Sequence, residues 1–380
     1  MRILHITAAY KPAFIYGGPT MSVALLCEQL SEAGAYIEVF TTTANGVDEL
    51  SMIPNEPVIV DGVMVTYFTR ITKDHTHFSP ALLKALLGRI NEFDIVHIHA
   101  WWNLVSVLSC HIAFLKKVPV IISPRGMLSN YTFSNKNVGF KNLIHKVLGR
   151  RLLKRSHMHV TSAKESIAVS KLVTSLSITT ISNFVKLDEE KNYPEKLALP
   201  YLKLLFFSRI EEKKGLDILL DALKLVSVPY HLTIAGNGNK DYIDRLKTIA
   251  INNHIDDKIT WAGFFGNNKF DLLHQHDLLV LPSHDENFGN VVIESLSVGT
   301  AVLITEHVGL ANYVTDNKLG WVCQTTPQSV SDAINDIGTN HMDDLKEIAK
   351  IAPGIVRSDF TGHKLTQEYI NLYQKIIGNE

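Results

Sequence analysis

Two glutamates eight positions apart, Glu286 and Glu294, lie in the segment HDENFGNVVIES, with Asn287, Phe288, Gly289 and Asn290 between them. The run DLLVLPS before the segment reads as a buried strand, and VVIESLSVG reads as a helix closed by Gly299. Glu286 then falls in the loop at a strand's carboxyl end, and Glu294 lies about one turn into the helix. Gly289 stands at the helix start, where unpaired backbone N–H groups and the positive dipole end favour an anion. Singly, each glutamate reads as a solvated residue; together, beside a glycine at a strand's carboxyl end, they mark a ligand site. The spacing does not suit a hydrolase pair, whose carboxyls stand about 5 to 9.5 Å apart. Eight partly helical residues span roughly 12 Å, so the two acids are better placed to grip two ends of one extended ligand.

A second stretch, FFSRIEEKKGLDILLDAL, carries Arg209 and Lys214 between a strand and a helix. A guanidinium fork and an ammonium point charge near one loop suit a phosphate group, although basic loops before helices are also common. The stretch lacks the G-x-x-x-x-G-K-[ST] pattern of a P-loop. AGNGNK at 235–240 is not G-x-G-x-x-G, which disfavours a plain dehydrogenase. In the first half, Gly17 and Gly18 form a turn between the first strand and the first helix. Such a turn permits close backbone approach to a ligand, or simply a positive φ. HIHAWWN and SPRGML each end a strand with polar or aromatic groups: His99, Trp101, Trp102 and Arg125. The tryptophans suit stacking on a sugar or, equally, core packing. One of His97 and His99 fits a satisfied core residue.

These groups need a scaffold, and 380 residues exceed a comfortable single core, so two domains are expected. Short β-branched or apolar runs (RILHIT, IEVFTT, MVTYFT, DIVHIH, VPVIIS) alternate with amphipathic stretches, and the alternation restarts near residue 200 with KLLFFS. That is the signature of parallel α/β sheets covered on both faces. Ligands of such sheets bind beyond the carboxyl ends of the strands, where the residues above fall. A polar connector at 185–200 separates the two halves. Net charge is −1, divided as +5 over residues 1–190 and −6 over the remainder, so one half has a surface suited to an anionic partner. Three scattered cysteines, Cys27, Cys110 and Cys323, argue against a disulfide framework and for a reducing compartment. No signal-peptide pattern or membrane-spanning run is present, which points to the cytosol. Residues 139–159 form a basic amphipathic pattern that suits an anionic membrane surface or, alternatively, a solvated face over the domain core.

In order and spacing, SRIEEKKGLDILLDAL, AGNGN, WAGFFG and LPSHDENFGNVVIESLSVGTAVLIT resemble the C-terminal half of the family 4 retaining glycosyltransferases. GGPTMSVALLCEQL, VHIHAWWN, SPRGML, HVTSAKES and ISNFVKL resemble the N-terminal half. The likeness covers nearly the whole chain and is greatest to bacterial enzymes that build surface polysaccharides such as O-antigen, capsule or exopolysaccharide. It implies a GT-B α/β architecture of two doubly wound Rossmann-like domains facing across a cleft. The domains would be 1–185 on the acceptor side, with a C-terminal helix at 361–380 crossing back to it, and 186–360 for the nucleotide sugar. The final helix would contact the first domain through Tyr369 and Tyr373.

By the same resemblance, Arg209 and Lys214 would neutralise the donor's leaving diphosphate in place of a metal, so no cofactor is expected. Glu286 would hold the donor sugar's hydroxyls, helped by the backbone of Asn287, Phe288, Gly289 and Asn290. Glu294 would take the ribose, with Gly17, Gly18 and Asn183 also on the donor side. His99, Trp101, Trp102 and Arg125 would face the acceptor. The implied partners are a nucleotide diphosphate sugar, UDP-linked before GDP-linked, and a glycan or lipid-linked glycan; no nucleic acid is implied. Arg125 stands where many family members have a histidine, so a histidine-dependent step does not carry over. Phe184 stands where a glycine is commoner. The alternatives are a GT-B sugar-nucleotide epimerase, which would release a free sugar without an acceptor, and a non-catalytic sugar-nucleotide-binding protein.

Overall fold

The computed structural model describes residues 1–128, 149–188, 193–194, 196, 199–265 and 268–378. The chain divides into two compact units, Met1–Val185 with Phe360–Glu380, and Lys186–Asp359.

The first unit is built on an eight-stranded sheet. Its strands are β1 (Arg2–Ile6), β2 (Tyr36–Thr42), β5 (Pro57–Val60), β6 (Val63–Phe68), β7 (Ile95–His99), β8 (Val120–Ser123), β9 (His157–Val160) and β10 (Ser177–Thr180); β3 (Ala44–Asn45) and β4 (Asp48–Glu49) form a separate small hairpin. The order is β10-β9-β8-β7-β1-β2-β6-β5. Neighbours run parallel except β5, which lies antiparallel to β6 at the edge. Pro57 at the head of β5 suits an edge, where its missing N–H leaves no ladder bond unmade. The helices α1 (Gly18–Glu32), α2 (Pro80–Arg89), α3 (Leu104–Leu115), α4 (Arg150–Lys154) and α5 (Ala163–Leu172) follow their strands.

Successive strand residues feed opposite faces, as a period of two requires. Leu4, Val96, Ile98 and Ile122 enter one buried cluster with Leu86 and Trp101. Ile3, Ile95 and Ile121 enter the other, which receives α1 and the C-terminal helix. That helix, Gly362–Ile377, buries Leu365, Tyr369, Leu372, Tyr373 and Ile376 against this second face, a stripe at helical spacing.

The second unit carries six parallel strands, β11 (Leu202–Phe207), β12 (Tyr230–Ala235), β13 (Ile259–Gly263), β14 (Leu278–Leu281), β15 (Ala301–Thr305) and β16 (Gly320–Cys323). Their order is β13-β12-β11-β14-β15-β16. The order reverses between β11 and β14, and in such sheets a crevice opens beyond the carboxyl ends at that point. Its helices are α6 (Leu216–Leu223), α7 (Lys240–Asn252), α8 (Lys269–His274), α9 (Asn290–Ser297), α10 (Ala311–Asp316), α11 (Pro327–Asn340) and α12 (Met342–Asp359), so the C-terminal helix is α13.

No helix among the described residues is long and apolar enough to cross a membrane. Of the basic stretch 139–159, residues 139–148 lie outside the described residues. In the remainder, Leu152 and Leu153 are buried and Arg150, Arg151, Lys154 and Arg155 are exposed.

Candidate functional site

On the second unit, the two loops flanking the strand-order reversal bring the predicted charges together. The loop after β11 turns through a short 3-10 helix ending at Lys214, and the loop after β14 carries Glu286. Lys214 Nζ donates to Glu286 Oε2 in an ion pair whose side chains are only 13% and 19% exposed. Lys213 pairs with Asp285 at 3.1 Å, and the His284 N–H donates to the Lys213 carbonyl at 2.9 Å. The loops are thus zipped together by backbone and side chain alike. Glu286 is fixed from its other side too: its N–H donates to His307 O, and its carbonyl accepts from Gly309 N. Its Oε1 has no partner among the described residues.

Gly215 makes this approach possible. It has φ +69°, and a Cβ there would lie 2.1 Å from the Pro282 carbonyl oxygen. Gly215→Ala should therefore force the two loops apart, at a cost of about 2–4 kcal/mol from overpacking and left-handed strain. A lowered denaturation midpoint at unchanged m-value checks this.

Glu294 lies in α9, whose N-cap, Gly289, is left-handed at φ +96° and has no side chain to cap the first N–H groups. Glu294 Oε1 accepts from Lys269 Nζ at 2.8 Å, while Oε2 has no partner among the described residues. Lys269, on α8, went unmarked in the sequence because nothing local links it to a residue 25 positions on. Phe288 is buried, so its ring offers no face to a ligand; Asn287 and Asn290 are partly exposed beside it. Arg209 is half exposed and paired with Glu211 at 2.7 Å.

On the first unit, β1 and β7 flank the corresponding reversal. Gly17, at φ +68°, caps α1 without a side chain, and Gly18 opens that helix. Trp102 is partly exposed and donates from Nε1 to Met127 O at 2.6 Å. Trp101 differs from the expectation of a stacking platform: it is fully buried in the core and offers no face to a ligand. His99 is equally buried, so it cannot touch an acceptor directly. Ala100 and Arg125, just past β7 and β8, are left-handed at φ +66° and +55°, conformations that cluster at functional loops. Gly126 N and Thr161 N both donate to Glu165, at 2.6 and 2.8 Å. Glu165 thereby fixes the loop bearing Arg125; its only sequence signal is Ser162-x-x-Glu165, a capping-box spacing.

Beneath this edge lies a buried polar chain. His97 donates and accepts along a line whose polarity the geometry fixes. His159 Nε2 lies 3.0 Å from the Ile181 carbonyl, which can only accept, so Nε2 carries the proton and Nδ1 accepts from the Ser123 hydroxyl at 2.6 Å. Ser123 Oγ then accepts from His97 Nε2 at 2.6 Å, leaving His97 Nδ1 to accept from the Tyr373 hydroxyl at 2.7 Å. Tyr369 OH approaches His159 Nε2 at 3.0 Å. A second branch is equally directed. Arg125 Nη2 donates to His99 Nδ1 at 3.4 Å, so His99 Nε2 donates to His5 Nδ1 at 2.9 Å. All four imidazoles are held neutral, first by burial; the Arg125 charge comes next at His5, His99 and His159, and the neighbouring histidines come next at His97. His5 and His159 are pushed down to about 3, and His97 and His99 lie well below the usual histidine value. His5, His97 and His99 stand close enough to share a metal ion. Both nitrogens of His97 are already engaged, however, and a guanidinium beside His99 opposes a cation.

Asn183 is buried and accepts from Arg125 Nη1, and Phe184 stacks on Tyr369 with ring centroids 5.7 Å apart. The structure therefore engages Asn183 with the first unit's own arginine.

Comparison with known proteins follows the same division. Residues 16–189 match the model of Glycosyltransferase Family 4, and residues 189–353 match that of Glycosyl transferases group 1. An uncharacterised 41.2 kDa protein of the cps region of Klebsiella pneumoniae is 21% identical over 81% of this chain and 87% of its own length. The 2-deoxystreptamine N-acetyl-D-glucosaminyltransferase of Niallia circulans is 24% identical over 94% of this chain and 97% of its own. Among solved structures, Anabaena HepE in complex with UDP and glucose superposes with a TM-score of 0.77 at 18% identity, covering 99% of this chain and 100% of that one.

Proposed function

Because the chain belongs to the family 4 and group 1 glycosyltransferases and has their GT-B fold, we propose that it is a retaining, metal-independent transferase. It moves a sugar from a nucleotide diphosphate sugar, UDP-linked before GDP-linked, to a hydroxyl of a growing bacterial surface glycan carried on a lipid. The Lys214–Glu286 pair at the strand-order reversal of the second unit is the observation that carries this reading. Complexes of HepE with UDP and glucose support the donor class, and the cps-region relative supports the glycan class.

In the proposed mechanism, Glu286 Oε1 accepts hydrogen bonds from the donor sugar while Lys214, held by Oε2, and Arg209 face the diphosphate. Breaking the bond between the anomeric carbon and the diphosphate oxygen moves negative charge onto that oxygen. Cations already in place lower the barrier because they need no reorganisation. The acceptor hydroxyl attacks the same face and passes its proton to the departing oxygen, so configuration is retained. Glu294 Oε2 accepts from a ribose hydroxyl, with Lys269 balancing its charge. The enzyme works in the cytoplasm, against the inner face of the membrane.

Glu294→Ala tests the donor reading. With UDP or GDP at about 100 times the dissociation constant, and with chelator present, the wild type gains roughly 2.7 kcal/mol, read as a rise in melting temperature. The variant should lose that rise while keeping its unliganded melting temperature within a few degrees. If no nucleotide shifts the wild type, Glu294 does not grip a ribose and the reading fails.

A further inference from the structure

Among the described residues, Arg125 is a cation without a counter-charge. It is mostly buried, and its three hydrogen-bond partners are neutral: Asn183 Oδ1 and Ser22 Oγ on Nη1, and His99 Nδ1 on Nη2. No carboxylate forms an ion pair with it among the described residues. Glu165, which holds the next residue's N–H, is committed to the backbone amides of Gly126 and Thr161. Nε is buried with no partner among the described residues. Its field is felt at all four buried histidines, which places a permanent charge in a medium that screens it little. A partly desolvated, uncompensated cation is costly unless an anion completes it.

The residue is also held in place. Its backbone is left-handed, Ser22 lies in the second turn of α1, and His99 is backed by His5, whose ring stacks on it at 5.2 Å with an interplanar angle of 5°. The guanidinium, which can only donate, fixes the His99 tautomer, so the Nδ1 lone pair faces it. A side chain present only to fill space would not need three separate elements to orient it.

We propose that Arg125 is an anion subsite of the first unit that takes a carboxylate or phosphate group of the acceptor, with His99 and His5 as positioning residues. The assignment to the acceptor rests on the functional reading above, in which the first unit receives that substrate. With both Nη1 hydrogens and one on Nη2 committed and Nε buried, the remaining Nη2–H and the guanidinium charge would meet such a group.

The test uses the full chain, with and without saturating UDP, and D-glucuronate, D-glucose 6-phosphate and neutral D-glucose as probes in ligand-observed NMR. An anionic probe is expected to bind the UDP-saturated wild type at least tenfold more tightly than glucose. Arg125→Gln should erase that preference while leaving the UDP dissociation constant within twofold, and Arg125→Lys should keep part of it. A melting curve on each variant establishes that it is folded. Equal binding of charged and neutral probes by the wild type, in either arm, overturns the subsite. A tenfold loss of UDP affinity in Arg125→Gln, with the sugar preference intact, overturns the acceptor assignment and gives the cation to the donor's diphosphate. If UDP does not bind at all, the functional reading fails, and the nucleotide-free arm still decides whether Arg125 selects an anion.

Discussion

Lys214→Met is expected to lower the rate of nucleoside diphosphate release from the donor by two to three orders of magnitude, about 3–4 kcal/mol of transition-state stabilisation. The loss has two sources. In the proposed mechanism the developing diphosphate charge loses a fixed cation, and Glu286 is left partly buried without the ammonium that pairs with it. The second source also destabilises the fold, so a fall in activity alone would not separate chemistry from folding. A double substitution does. Lys214→Met with Glu286→Leu removes both charges and should recover most of the melting temperature lost by Lys214→Met alone, because a matched apolar pair carries no stranded charge. Its turnover should stay at or below that of the single variant. Recovery of turnover along with stability would mean that the pair only braces two loops, and the catalytic assignment would have to move elsewhere.

Both members of that pair, though not their pairing, are legible in the sequence because the logic of each is local. Glu286 follows an apolar run and precedes a glycine; Lys214 does the same on the neighbouring strand's loop. The spacing therefore puts both at carboxyl ends without any knowledge of strand order. What joins them is the reversal between β11 and β14, a fact of topology rather than of spacing. The histidines show the opposite case. His97 and His99 flank Ile98 and follow Val96, so a shared face is readable. Their company is not, since His5 enters by pairing opposite His97, Ser123 by pairing opposite His99, and His159 from the next strand. The tyrosines Tyr369 and Tyr373 arrive from more than 200 residues away. Trp101 differs from its acceptor-side expectation for a related reason: two positions past a strand end, an indole fits core and cleft equally until the packing of α2 and α3 is known. Lys269 and Glu165 act through partners 25 and 39 residues distant, and only Glu165 left a trace, in its capping-box spacing.

The buried histidines make a second large prediction, a steep loss of the first unit's stability in mild acid. In the folded chain, burial keeps His5, His97, His99 and His159 neutral to well below pH 6. In the unfolded chain they titrate near pH 6.5. Above pH 7 neither state is protonated at these rings, and they add nothing to the pH dependence. As pH falls through 6.5 the unfolded state binds more protons, so stability drops, by about 1.4 kcal/mol per ring per pH unit. Four rings together remove about 5 kcal/mol between pH 7 and pH 5.5, comparable with the whole stability of many domains, about 5–15 kcal/mol. Carboxylates barely titrate in that window, which isolates the imidazoles; His77, also buried in the first unit and pushed down to about 4 by burial, adds to the same slope. The polarity of the chain leaves no room for a compromise. A proton added to His97 Nδ1 meets the Tyr373 hydroxyl as an acceptor and must reverse a bond that now runs the other way. A proton on His99 Nδ1 points at the Arg125 guanidinium. Guanidinium chloride titrations at pH 7.5, 6.5 and 5.5 check this in a form with Trp261 and Trp321 replaced by phenylalanine, so that Trp101 and Trp102 report on the first unit. The expected result is a midpoint that falls steeply below pH 6.5 at constant m-value, with His159→Asn reducing the slope by about one proton. A midpoint that is flat from pH 7.5 to 5.5 would show that the rings take up protons in the folded state, and the directed chain of hydrogen bonds would have to be abandoned.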